Sequence, residues 1–260
     1  MAEDPYLYPG TETLRNKFGE RDKDVLKGLD YAAAMDRQRQ LESGEADVPR
    51  TYDAQHLHAI HQHLFQDVYE WAGQPRPDVT VFKGVPGGFA PPNLIDRYLT
   101  DAAEAISSAD WASMDQEQFA QQAAKVFAYV NQAHPYREGN GRATKLFMQH
   151  VSELSPYELD YTRIPDKVWN QRSMLSGPDI GQYEPVPEMM QPVFEVLAKE
   201  RPDGPARTML SPELQKARQA AGLDPGEVAG RNANPQSSTG AGTDKPKTSR
   251  GRGTQSPERG

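Results

Sequence analysis

Leu57, Ile60, Leu64, Phe65 and Val68 recur at three- and four-residue intervals through TYDAQHLHAIHQHLFQDVYEWAG, residues 51–73. That is the period of a helix with one buried face, and Gly73 supplies a stop. The same period returns in SMDQEQFAQQAAKVFAYVNQA, where Phe119, Ala123, Val126, Phe127 and Val130 share a face. It returns again in RATKLFMQHVSEL, through Leu146, Phe147, Val151 and Leu154. Residues 20–44, 91–109, 165–177 and 185–200 read as further helices between glycine, proline and serine punctuation. Residues 78–92, DVTVFKGVPGGFAPP, break the pattern, because two short β-prone pieces flank a Gly/Pro turn. They predict a hairpin. The predicted class is all-α with one small β element.

The periodicity ends near residue 201. Residues 202–260 contain no Ile, Phe, Tyr or Trp and carry nine Lys/Arg against six Asp/Glu. This local +3 leaves −11 on residues 1–201, since the whole chain is −8. Such a composition cannot bury enough apolar surface to offset the entropy of ordering, so a low-complexity, disordered tail is expected. One short helix is predicted within it near 211–221, with Ser211 as N-cap, Pro212 at the first position and Gly222 as stop. The domain is therefore placed at 1–201, with a core over about 50–200 and an N-terminal helical part over 5–45.

Composition narrows the setting. The chain lacks cysteine, which excludes disulfides and thiolate metal sites and fits a reducing compartment. MAEDPYLYPG has neither the basic nor the apolar region of a secretory signal, and no apolar run approaches the roughly 20 residues that span a bilayer. The net charge of −8 argues against nonspecific nucleic-acid binding. A soluble cytoplasmic protein with no membrane or direct nucleic-acid partner is expected.

The chemistry concentrates in AHPYREGNGRAT, residues 133–144. Gly139-Asn140-Gly141 lies between two amphipathic helices, so glycine freedom and close approach meet the unpaired N–H groups of a helix N-terminus. Together these form an anion cradle suited to phosphate. Arg142 adds a planar charge able to grip a phosphate with two hydrogen bonds. Glu138 would repel a phosphate unless a cation stood between them, and Mg²⁺ typically takes one or two carboxylates with phosphate oxygens. His134 is the group here able to exchange a proton near neutral pH. Taken singly, each residue has an ordinary alternative: a turn, a helix-end histidine, or an Arg142–Glu138 surface pair at i, i+4. A magnesium-bound nucleotide triphosphate accounts for all of them at once.

HPYREGNGRATK resembles the signature of Fic-domain proteins, His-Pro-Phe-x-(Asp/Glu)-Gly-Asn-Gly-Arg-x-x-Arg. YLYPGTETLRNKFG, LHAIHQHLFQDVYEWAGQPR and KGVPGGFAPPNLI are also similar to family segments, in the family's order, so the resemblance spans about residues 5–200. It implies a Fic-type helical domain with a hairpin flap, and adenylyl transfer from ATP to a protein hydroxyl of Tyr, Ser or Thr. By position it makes His134 the base, Glu138 the Mg²⁺ ligand, and Gly139, Asn140 and Gly141 the anion hole. Arg142 and Lys145 become phosphate contacts. The flap around Phe82, Lys83, Gly84 and Phe89 would align the target segment by strand addition.

Two positions depart from the signature. Tyr136 stands for Phe and brings a hydroxyl that needs a partner. Lys145 stands for the last Arg, keeping the charge but losing the two-point grip, which predicts weaker ATP binding or altered regulation. The family's inhibitory motif, Ser/Thr-x-x-x-Glu-Gly/Asn, is not matched: Thr100…Glu104 is followed by Ala105, and Ser113…Glu117 by Gln118. The resemblance then suggests a toxin restrained by a separate small helical antitoxin. It points to the ATPase subunits of type II topoisomerases as targets. The alternatives are a relative using another phosphate donor, such as a kinase or phosphocholine transferase, and a catalytically weak nucleotide-binding or interaction module. Gly141 speaks against the kinase type, which carries lysine there. His56, His58, His61 and His63 contain no i, i+4 pair, so they are read as packed or solvated residues and not as a zinc site. Trp71, Trp111 and Trp169 are read as core or helix-end packing.

Overall fold

The computed structural model describes residues 4–77 and 88–209. Seven helices are present among them: α1 (Lys23–Ser43), α2 (Ala54–Phe65), α3 (Pro92–Ser107), α4 (Gln116–Ala133), α5 (Asn140–Ser152), α6 (Asp166–Leu175) and α7 (Gln191–Leu197). Two three-residue strands, β1 (Tyr157–Leu159) and β2 (Ala198–Glu200), pair antiparallel. The all-α expectation holds. The predicted hairpin over 78–92 and the tail with its 211–221 helix fall largely outside the described residues.

Helix α4 forms the centre of the core. Its N-terminus is fixed by a capping box, in which Asp115 accepts the Gln118 N–H and the Gln118 side chain accepts the Asp115 N–H. Phe119, Val126, Phe127 and Val130 are buried on it, and Ala120, Ala123, Ala124 and Ala128 let neighbouring helices approach closely. Helices α3, α5 and α7 pack around it. Each large apolar side chain buried here contributes roughly 1.5–3 kcal/mol.

Two boundaries differ from the periodic pattern. The second helix stops at Phe65, eight residues before Gly73. Beyond it the Val68 carbonyl accepts the Lys17 N–H at 2.8 Å, and Tyr69 stacks on Trp71 while donating its hydroxyl to Asp30. These tertiary partners outweigh two more helical turns. The last helix stops at Leu197, where 185–200 had predicted continuous helix. Ala198, Lys199 and Glu200 extend instead to pair with Leu159, Glu158 and Tyr157.

Helix α1 carries an unexpected feature. Asp22 caps its N-terminus by accepting the Asp24 and Val25 N–H groups, and Gly44 ends it in the left-handed region at φ 76°. Its buried face, however, includes the carboxylate of Asp30 among Leu26, Ala34 and Leu41. A buried charge of this kind requires a partner, and that partner comes from α5.

Candidate functional site

The turn from α4 to α5 carries the motif. His134 caps the C-terminus of α4 in the left-handed conformation, φ 39° and ψ 59°, and is nearly fully buried. A non-glycine residue held there costs about 1–3 kcal/mol and persists only where its surroundings impose it. They do so here: the buried Arg76 donates Nε–H to the His134 carbonyl at 2.9 Å, and its main-chain N–H donates to Pro135 at 2.7 Å. The imidazole lies flat on Phe89, ring centroids 3.6 Å apart and planes within 9°.

Gly139 begins α5 with φ 84°. A Cβ there would stand 2.5 Å from the Phe65 ring and 3.0 Å from His61 Nε2, so only glycine lets the turn close on α2. Gly141 is different, because a Cβ there would meet nothing within 4 Å. Its backbone faces open space. The first N–H groups of α5, from Asn140, Gly141 and Arg142, have no preceding helical carbonyl to reach, which is the arrangement that binds anions.

Asn140 has a role that the motif alone does not show. Its side-chain oxygen accepts the Tyr136 N–H at 2.9 Å, and its amide donates to the Tyr136 carbonyl at 2.7 Å. The side chain thus staples the turn shut, and its main chain remains the part available to a ligand. Tyr136 is fully buried and its hydroxyl shares a 2.7 Å hydrogen bond with His58 Nδ1, the partner that a tyrosine in this position requires. Its ring stacks on His61 at 3.6 Å.

The histidines of α2 are packed, each with a hydrogen-bond partner. No group of three or more His, Cys, Asp or Glu side chains able to hold a metal exists among the described residues. His61 accepts the Gly73 N–H at Nδ1, 2.8 Å away, so its proton sits on Nε2 and is donated to the Glu138 carbonyl at 3.0 Å. Burial lowers its pKa to about 3 and keeps it neutral. His56 accepts the Tyr52 N–H and reaches His150 at 2.9 Å, while His63 bonds the Arg37 carbonyl. Two of the four, His58 and His61, therefore hold the motif turn in place.

Arg142 does not offer a two-point grip to phosphate in this structure. Both of its terminal nitrogens donate to Asp30, at 2.7 and 3.0 Å, and its guanidinium lies over Tyr31 and Phe65. Burial works against its charge, but the Asp30 carboxylate more than compensates and raises its pKa above the ordinary arginine value. The residue anchors the start of α5 to α1. Removing either partner would leave the other charge buried and unpaired, at a cost of about 3–5 kcal/mol. Glu138 is 3.9 Å from Arg142, and its side chain is about one-third exposed. Lys145, one turn further on, sits over Tyr161 and Trp169 at 5.2 and 5.0 Å and lies 3.9 Å from Asp166.

A cavity of about 390 Å³ brings His134, Asn140, Gly141 and Thr144 together with Phe89, Phe127, Asn131, Trp169, Asn170, Ser173 and Met174. Its size suits a small-molecule ligand. Periodicity had marked Trp169 and Phe127 only as core. Both do pack on Phe194, and both also present surface to the cavity. Nothing in the local sequence signals Asn131, Asn170 or Ser173, the first from α4 and the other two from α6. Phe82, Lys83 and Gly84 lie outside the described residues, whereas Phe89 is placed against the histidine. A larger cleft of about 950 Å³ lies along α1 and α5. Its Arg50 and Arg207 are paired with Glu153 and its Lys199 with Glu158, while Arg201 donates to the Tyr157 carbonyl and to Ser152 Oγ.

Comparison with known proteins bears on the family and the fold. The Fic/DOC family model matches residues 51–152. A probable protein adenylyltransferase, y4lH of Sinorhizobium fredii, is 35% identical over 169 residues, covering 64% of this chain and 84% of that protein. The probable protein adenylyltransferase Fic of Escherichia coli is 28% identical over 175 residues, covering 65% and 82%. Among solved structures, BepC of Bartonella tribocorum with bound AMPPNP superposes with a TM-score of 0.64 at 26% identity, covering 75% of this chain and 97% of that one. The N-terminal Fic domain of a Bartonella quintana effector with bound ADP gives 0.66 at 25% identity, covering 76% and 96%. The chain belongs to the Fic/DOC family.

Proposed function

We propose that this protein transfers AMP from ATP, with Mg²⁺, to a Tyr, Ser or Thr hydroxyl of a target protein. The observation that carries the reading is the placement of His134 in one cavity with Asn140 and Gly141 at the start of α5, where Gly141 faces open space. Relatives described as adenylyltransferases, and neighbours with bound AMPPNP and ADP, support the same chemistry. In the step proposed, the His134 imidazole takes the proton of the target hydroxyl as its oxygen bonds to the α-phosphorus. The bond from that phosphorus to the bridging oxygen breaks, and pyrophosphate leaves. The first N–H groups of α5 stabilise the charge on the phosphate oxygens. Lys145 supplies a side-chain cation beside the cavity wall at Trp169, while Arg142 acts through its hold on α1.

Glu138 fits the Mg²⁺ role. Its carboxylate is partly exposed at the start of the cradle and, among the described residues, makes a long 3.9 Å contact with Arg142, and one such group with phosphate oxygens meets the usual needs of the ion. Bound there, the ion would neutralise phosphate charge. Phe82, Lys83 and Gly84, in the segment leading to Phe89, are assigned to docking of the target strand. Toxin activity restrained by a separate small helical antitoxin, action on topoisomerase ATPase subunits and a cytoplasmic site complete the proposal.

The test combines purified protein, Mg²⁺ and a bacterial lysate with ATP labelled at the α- or the γ-phosphate. Label on a protein from α-labelled ATP alone, lost in His134→Ala, is the expected result. Label from γ-ATP would mean a kinase. ATP binding without label from either would favour a binding module, the reading that the seating of Lys145 on its aromatic pair supports.

A further inference from the structure

We infer that Arg76 is the positioning residue that sets the orientation of the His134 imidazole, an inference that rests on the reading of His134 as the base. Arg76 is 1% exposed and its guanidinium meets main-chain carbonyls from two segments. Nε donates to His134 at 2.9 Å, and Nη2 donates to Ala90 at 2.6 Å, with Ala133 at 3.5 Å. It therefore ties the end of α4 to the strand of chain entering α3. That strand is also strapped to α4 by the Ala90 N–H on the Gln132 carbonyl, 2.9 Å, and by the Gln132 amide on the Gly88 carbonyl, 3.3 Å.

Phe89 lies between those two attachments, and its ring is the surface on which His134 rests. One guanidinium thus fixes both members of the stack: the left-handed backbone of the histidine and the segment bearing the aromatic ring. Arginine suits the task because its planar fork holds several donors at fixed angles, so two carbonyls on different segments can be met at once. A lysine ammonium at the end of a flexible chain cannot hold both in one plane. The phosphate cradle does not depend on Arg76. It is held by the Asn140–Tyr136 staple, the Gly139 contact with Phe65 and the Arg142–Asp30 pair.

This separation predicts a split in kinetics. Arg76→Gln lowers kcat by roughly 100-fold, as expected for a misplaced reacting group, and leaves KM for ATP within about two-fold. Arg76→Lys recovers part of the loss. The decisive readout is independent of turnover. In NMR spectra of the full chain, the His134 ring protons carry an upfield shift from the Phe89 ring, and that shift collapses in Arg76→Gln and in Phe89→Leu. Arg76→Lys retains part of it. A folded Arg76→Gln protein that keeps the full wild-type upfield shift of His134 and wild-type kcat overturns the inference. So does a loss of kcat and of ATP binding in parallel. Should Arg76→Gln fail to fold, Arg76→Lys and Phe89→Leu decide the matter. If the wild-type protein transfers no AMP, the base reading fails, while the NMR shifts still report whether Arg76 positions the ring.

Discussion

The histidine that ends α4 and the histidines of α2 have the same side chain in opposite circumstances. His61 spends both ring nitrogens on backbone groups, is buried among aromatic rings and is held neutral. His134 sits where a helix has just ended, with its backbone clamped by Arg76 and its ring bordering a cavity next to open backbone at Gly141. The chemistry open to a histidine depends on whether its ring borders a ligand-sized cavity, not on local histidine density. The four-histidine helix serves as the wall against which the reactive turn is built.

Substitution of each kind should have a different signature. His134→Ala is expected to reduce the transfer rate by 10²–10⁴-fold, the range for a lost general base, with unfolding free energy changed by less than about 1 kcal/mol. An equal fall in stability would place His134 in the scaffold. His61→Leu is expected to do the reverse, costing about 3 kcal/mol in urea unfolding because the Gly73 N–H and Glu138 carbonyl lose their buried partner. A cost below about 1 kcal/mol would show that the turn is anchored elsewhere.

Acid should expose the buried set together. His56 and His61 have pKa values lowered to about 3 and His150 to about 2, all by burial, against 6.5 in the unfolded chain. Below pH 6.5 the unfolded state binds protons that the fold excludes. Stability is therefore full above that pH and falls as pH drops toward 3, by roughly 1 kcal/mol per pH unit for each histidine. Thermal melts between pH 7.5 and 4.5 would show it, and a flat profile would contradict the neutral assignment. Tyr136→Phe removes the hydroxyl bonded to His58 and keeps the stack on His61, so a loss of about 1 kcal/mol is expected in the same urea assay. Lys145→Arg should have the smallest effect, lowering KM for ATP a few-fold without moving kcat. An unchanged KM would show that position 145 stays on Tyr161 and Trp169 during turnover.

Much of this was legible in local pattern. Periods of three and four residues located the helices because burial of one face repeats with the helical turn. The turn residues 134–141 stood out because glycine, asparagine, histidine and an acid have no common structural reason to be adjacent. The limits of α2 and α7 were not legible, since Val68, Tyr69 and Ala198 take partners more than twenty residues away in sequence. Arg76 was also silent: an arginine after a Gly-Gln-Pro turn looks like a surface residue until the loop folds it inward.

The sequence by itself determined the helical class, the family and the short turn in which His134, Asn140 and Gly141 come together, because those depend on short-range spacing and side-chain chemistry. Tertiary structure decided which side chains of the motif line the cavity and which are spent on the scaffold. It turned Arg142 onto Asp30, closed Asn140 on Tyr136, and seated His134 between Arg76 and Phe89. A guanidinium or an amide serves whichever charge or backbone group lies within hydrogen-bond reach, and distance in the fold is a property that no local run of residues encodes.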